Sequence, residues 1–169
     1  MPSTDQRSEY LTATTTIDAP PEAVFDALTD AREWWSRNLI GHTADLDDEF
    51  VFTDDVRYPG ETAHAKTGIR FCRFQLTEVQ PPHRLVWHAV DAELTFIDDH
   101  REWTGTDVIF EVTRGPEGTE LRLTHVGLTA ESECFEACSR GWNFFVTSSI
   151  PALVTTGIGA PIARYTDVR

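Results

Sequence analysis

The chain has 169 residues, about the length of a single domain, and 40% of them are hydrophobic, including 10 Phe, 5 Trp and 3 Tyr. That is enough for a sizeable core and argues against a disordered or fibrous chain. With 28 acidic against 14 basic residues the formal charge is −14, the wrong sign for phosphate backbones or anionic membrane surfaces, so nucleic acid is excluded as an expected partner.

Met1 to Glu9 is polar and reads as a flexible N-terminus without the apolar stretch of a secretory signal. No later run reaches membrane-spanning length, so the expectation is a soluble, cytoplasmic protein with no membrane insertion. Residues 10–159 read as one domain and 160–169 as a C-terminal tail. Leu11 to Ile17 is rich in β-branched residues and alternates, which predicts a first strand. Asp18-Ala19-Pro20-Pro21-Glu22 follows with a capping side chain, first-turn prolines and an early acid, which predicts a helix carrying Val24, Phe25 and Leu28. A second short helix is expected to hold Trp34 and Trp35.

From Ile40 to Val126 strand-like runs are punctuated by Tyr58-Pro59-Gly60, Pro81-Pro82-His83 and Gly115-Pro116-Glu117-Gly118, the pattern of an antiparallel meander. Strand parity puts Phe50, Phe52, Cys72, Phe74, Leu76, Leu85, Trp87, Ala89, Val108, Phe110, Val112, Leu121, Leu123 and His125 on the covered face. Arg73, Gln75, Glu111 and Arg122 fall on the other. The same parity, run back from Val108, sends Trp103 outward unless Gly105 introduces a bulge. After Gly127-Leu128-Thr129, apolar residues at near-helical spacing predict a long helix from Ala130 to about Thr156, kinked at Pro151 and stopped by Gly157. The order β-α-α-β(several)-α predicts an α+β fold in which a curved antiparallel sheet wraps a long C-terminal helix, with a candidate cavity between them.

Chemistry-bearing residues are few. His125 is turned inward beside Leu121 and Leu123, where it is either a ligand hook or a core histidine satisfied by its neighbours. His88 is expected to face outward, and His42, His64, His83 and His100 lie near turns or edges. Cys134 and Cys138 share a helix face. No third metal ligand is announced by spacing, and three cysteines are too few for a disulfide framework, so reduced, packed thiols are the expectation. Asp91, Glu93, Glu102, Glu131 and Glu133 are candidate acids, with Glu133 placed in the first turn of the long helix. There is no triad spacing, phosphate loop, nucleotide fingerprint or cofactor motif, and no catalytic residue is assigned. The candidate cavity lining is Trp34, Trp35, Phe52, Phe74, Trp87, Trp103, Phe110, His125, Cys138, Trp142 and Phe145.

Ile17-Asp18-Ala19-Pro20-Pro21-Glu22-Ala23-Val24-Phe25-Asp26-Ala27-Leu28-Thr29-Asp30 resembles the opening of the START-like, or SRPBCC, superfamily, in particular its branch related to the activator of heat-shock-protein-90 ATPase. Arg84-Leu85-Val86-Trp87, Glu102-Trp103-Thr104-Gly105-Thr106, Thr124-His125-Val126-Gly127-Leu128 and Gly141-Trp142-Asn143-Phe144-Phe145 resemble later signatures of that branch. The resemblance spans about Leu11 to Gly159 and implies a helix-grip fold. It implies as partner a hydrophobic small molecule, lipid- or polyketide-like, held between sheet and helix. Two other expectations stand beside it: a cyclase or dehydratase using His125 as general acid or base, and a stress-response or chaperone-associated interaction module. The chain resembles only the C-terminal domain of the eukaryotic chaperone activator, which argues against chaperone activation. A homodimer is compatible with the sequence.

Overall fold

The structure, a computed structural model, describes residues 10–53 and 69–162. The expected turn at Tyr58-Pro59-Gly60, His64, the N-terminal nine residues and the tail beyond Ile162 lie outside the described residues. Two-residue alternation makes β1 (Tyr10–Ile17) a half-buried strand, with Leu11, Ala13 and Ile17 inward. Pro21 opens α1 (Pro21–Leu28), where its missing N–H costs nothing, and Val24, Phe25 and Leu28 form the buried stripe. The short α2 (Ala31–Trp34) follows and leads Trp34 and Trp35 into the interior.

The meander comprises β2 (Leu39–Gly41), β3 (Glu49–Phe52), β4 (Ile69–Gln80), β5 (Arg84–Leu94), β6 (Asp107–Gly115) and β7 (Gly118–Thr129). All pair antiparallel in one curved seven-stranded sheet of order β1-β7-β6-β5-β4-β3-β2. The first strand thus closes beside the last, which returns the chain to where the helices pack. Every residue that parity assigns to the covered face is buried, while Arg73 is exposed and Gln75, Glu111 and Arg122 are half-buried. The β6–β7 turn forms at Gly115-Pro116-Glu117-Gly118 as expected. Gly118 holds φ +137, and a Cβ there would stand 2.5 Å from the Ile17 carbonyl oxygen, so glycine is required by both backbone and space.

The closing helix differs in detail from its expectation. Regular helix begins at Phe135 instead of Ala130, because Ala130 to Cys134 are spent on a turn in which Ser132 Oγ accepts from Thr129 N. It runs as α3 (Phe135–Phe144), a π-helical segment (Phe145–Ser149) and α4 (Ile150–Thr156). The wider π turn lies just ahead of Pro151, where a proline ring would collide with the preceding turn of a regular helix. Gly157, at φ +84, ends it as predicted. The chain then returns past α2: Ile162 N donates to the Trp35 carbonyl (2.8 Å) and Arg37 N to the Ile162 carbonyl (2.9 Å). Paired backbone therefore continues beyond the expected domain end at residue 159. No helix among the described residues is long and apolar enough to cross a membrane.

Candidate functional site: an aromatic cavity under the closing helix

Between the sheet and α3 lies a cavity of about 210 Å³. The sheet side contributes Phe52 and Ile69, α2 delivers Trp35, and the β5–β6 connection brings Phe96 and Trp103. On the helix side Ala137, Cys138, Gly141, Trp142 and Phe145 follow the 3.6-residue period, so one face of the helix forms the wall. Ile162, held by the returning chain, completes it. Two of those helical positions are small, and a Cβ built at Gly141 would meet nothing within 4 Å. The volume therefore follows from the sequence: Ala137 supplies only a methyl group and Gly141 no side chain to fill it. Phe96, 41% exposed, stands at the mouth.

Three indoles dominate the interior. Trp103 and Trp142 lie nearly parallel, with centroids 6.1 Å apart, and Trp35 lies 5.7 Å from Trp142. Phe52 covers Trp35 at 4.7 Å. The sequence-predicted lining is thus split. Trp35, Phe52, Trp103, Cys138, Trp142 and Phe145 line the cavity, while Trp34, Phe74, Trp87, Phe110 and His125 pack behind it. Trp34 is fully buried, lies 5.7 Å from Trp87, and donates from Nε1 to the Leu28 carbonyl. Trp87 meets Phe110 and Phe50 edge-on at 4.8 and 5.0 Å. This inner layer is plain core.

For Trp103 the structure takes the alternative that hinged on Gly105, and the ring turns inward. β6 starts only at Asp107, and the turn around Gly105 (φ +85) resets the alternation, so Trp103 is buried. Phe96, Ala137, Gly141, Ile69 and Ile162 are cavity residues that sequence reasoning did not select. The small helical pair at a spacing of four, 137 and 141, is the signal that could have found the helix wall.

His125 is fully buried, and both its nitrogens are engaged. Trp142 Nε1 donates to Nδ1 at 3.1 Å, so Nδ1 is unprotonated and Nε2 carries the hydrogen. Nε2 then donates to Thr106 Oγ1 at 2.9 Å, and that hydroxyl donates to the Trp103 carbonyl at 2.6 Å. The chain of donors has one consistent direction, and it locks the Trp142 ring that forms the cavity wall. Burial pushes the His125 pKa down to about 3. A second proton would aim an N–H at the Trp142 N–H. The imidazole is therefore a neutral positioning group behind the wall.

The acids also resolve into structure. Glu102 accepts from Glu133 N (2.9 Å) and Cys134 N (3.0 Å), capping the N-terminus of α3. Glu133 does not begin the helix as expected. It precedes it and accepts from Asp98 N and Asp99 N at 3.1 and 2.7 Å, so loop and helix hold each other by two reciprocal carboxylate clamps. Asp91 pairs with Arg101 and Glu93 with Arg70, and Glu131 lies in the exposed turn. His88 is half-buried and pairs with Asp107 through Nδ1 at 2.7 Å. Cys134 is fully buried, and its thiol is pushed far above the ordinary range by a hydrogen bond with the Cys138 thiol, then by burial. Trp103 Nε1 has the Cys134 sulfur beside it and no partner in hydrogen-bond geometry. Burial, with Asp91 adding to it, also raises the Cys72 thiol. Among the described residues no group of three or more His, Cys, Asp or Glu side chains is arranged to hold a metal ion.

Comparison with known proteins agrees with this fold. The family profile described as "Activator of Hsp90 ATPase homolog 1-like protein" matches residues 18–155. Among solved structures, the chain is similar to the Aha1 dimer from Colwellia psychrerythraea, with 20% identity and a TM-score of 0.63 over 88% of this chain and 98% of that one. It is similar also to the protein SSP2350 from Staphylococcus saprophyticus, at 13% identity and a TM-score of 0.60, covering 90% and 97%. A third is DynU16, described as a putative protein in the dynemicin biosynthetic locus, at 18% identity and a TM-score of 0.58, covering 89% of this chain and 49% of that one. At these identities the likeness is one of fold. No curated protein matches the sequence significantly.

Proposed function

Because the chain belongs to the family of Activator of Hsp90 ATPase homolog 1-like proteins, we propose that it is a binding protein for a small, mostly apolar molecule carrying one or two aromatic rings, held between the sheet and the closing helix. The observation that carries this reading is the cavity of about 210 Å³ walled by Trp35, Trp103 and Trp142 and left open by Gly141. An apolar cavity of about 150 Å³ already accommodates benzene, so the space suits a two-ring compound. Among the described residues no charged side chain lines it, and desolvation of the ligand against ring faces supplies the affinity.

The arrangement favours binding over proton chemistry. Among the described residues the one buried histidine near the cavity is committed at both nitrogens and neutral down to acid pH, whereas a general acid or base needs a pKa near the operating pH and reach to the substrate. DynU16, a structural neighbour, is described as a putative protein in the dynemicin biosynthetic locus, which is consistent with a small-molecule occupant.

Isothermal titration calorimetry with 2-naphthol, on the wild type and on Gly141→Leu, tests the reading. Binding near one equivalent with a negative heat-capacity change is expected for the wild type, and its loss is expected in the variant, whose side chain enters the open space. Equal binding by a folded Gly141→Leu protein would place the ligand elsewhere.

A further inference from the structure

Among the described residues Cys138 is the one nucleophilic side chain in the cavity wall, and it does not stand alone. One helical turn earlier Cys134 lies fully buried, four residues before Cys138 and so on the same face of the helix start. The Cys138 amide donates to the Cys134 carbonyl at 2.7 Å, which fixes the two residues one above the other. Cys138 thus lines the space a small molecule enters, and Cys134 lies one helical turn away, out of solvent. Cys72, the third free cysteine, is fully buried on β4 and does not line the cavity.

We propose that Cys134 and Cys138 form an oxidisable dithiol, with Cys138 the site attacked by an organic hydroperoxide entering the cavity and Cys134 the thiol that resolves it. The proposal rests on the cavity admitting apolar molecules. In the first step the Cys138 sulfur attacks the terminal peroxide oxygen, the O–O bond breaks, and the alcohol leaves with the thiol's proton. Cys138 is then a sulfenic acid. In the second step the Cys134 sulfur attacks the Cys138 sulfur, an S–S bond forms and water departs. Two thiols have lost two electrons and two protons, and one hydroperoxide has become one alcohol and one water.

The helical start gives this disulfide a definite character. Side chains four apart on a helix hold their Cβ atoms about 5–6 Å apart, whereas a relaxed disulfide needs about 3.5–4.5 Å. The first turn of α3 must therefore tighten. It can, because Cys134 is the N-cap residue (φ −85°, ψ 2°) and is not yet within the regular helix. A bridge formed against that geometry is strained, which makes it easily reduced again. The Cys134 amide is also one of the two held by Glu102, so oxidation pulls on the clamp that seats the Trp103 loop against the helix.

The test treats the full-length reduced protein with cumene hydroperoxide, quenches with an alkylating agent and maps the cysteines by mass spectrometry. The expected result is loss of two hydrogens in the peptide carrying Cys134 and Cys138, with Cys72 alkylated as in the untreated protein, and full reversal by dithiothreitol. In Cys134→Ser the reaction stops at a dimedone-trappable sulfenic acid on Cys138. In Cys138→Ser residue 134 stays reduced. Thiols that remain reduced while the unfolded protein oxidises under the same treatment would overturn the proposal, as would trapping at Cys134 first. If the native protein binds 2-naphthol yet stays reduced, the redox assignment fails and the binding reading stands. If it oxidises with hydrogen peroxide but not with cumene hydroperoxide, the route through the cavity is overturned. Should either serine variant not fold, the wild-type mapping alone decides between these results.

Discussion

Replacing His125 by Gln isolates the pH dependence that its burial builds into the fold. The native imidazole is neutral with a pKa of about 3, against 6.5 for the ordinary group. The unfolded chain therefore takes up a proton below about pH 6.5 that the native state refuses until about pH 3. Stability from this residue is complete above pH 6.5 and is lost as the pH falls toward 3. At about 1.36 kcal/mol per unit, the two units between pH 6.5 and 4.5 correspond to roughly 3 kcal/mol. Glutamine keeps one acceptor for Trp142 and one donor for Thr106 but cannot be protonated. Its offset at pH 7 is a constant, while the acid-dependent loss disappears. Urea denaturation of both proteins at pH 7 and 4.5 reads the difference, since carboxylates and the other histidines contribute equally to each. The wild-type midpoint should fall by about 1 M more than that of the variant. Parallel losses in the two proteins would refute the neutral, doubly engaged imidazole.

Three further outcomes follow from named contacts. Gly141→Ala adds a Cβ that meets nothing within 4 Å and replaces a mid-helix glycine, so thermal unfolding should show a gain of about 0.5–1 kcal/mol. Glu102→Ala removes the acceptor for two amides at the start of α3 and should cost about 0.5–2 kcal/mol in urea titration, with unchanged secondary structure by circular dichroism. Trp34→Ala truncates a fully buried ring packed on Trp35, Trp87 and Phe110. It should cost about 3–5 kcal/mol by the same titration.

The sheet was readable residue by residue because strand alternation has a period of two and one face is fully covered. His125 and Leu123 could be turned inward from Val108 and Leu121 by counting alone. Counting failed where the backbone left that period. Trp103 lies beyond the turn at Gly105, and the helix start was placed too early because its cap, Glu102, comes from a distant loop that no local pattern announces. The aromatic set was found, but its division into wall and core was not. That division depends on what surrounds each ring: Trp87 and Phe110 are fully enclosed by other side chains, while Trp35 and Trp142, though they also meet rings, border the space that Ala137 and Gly141 leave. Ile162 joins the wall only because the chain folds back to pair with Trp35, a contact between residues far apart in sequence. The carboxylates read as candidate chemistry for a similar reason, since nothing local in Glu102 or Glu133 reveals which amides they hold.

Native mass spectrometry of the freshly purified protein, followed by denaturing extraction, tests the central claim most directly. The account predicts a small apolar aromatic molecule bound near one equivalent, released on denaturation and absent from Gly141→Leu. A wild-type protein that is empty as purified and takes up no member of a panel of one- and two-ring aromatics, or a folded Gly141→Leu protein that carries the same molecule at the same occupancy, would contradict it.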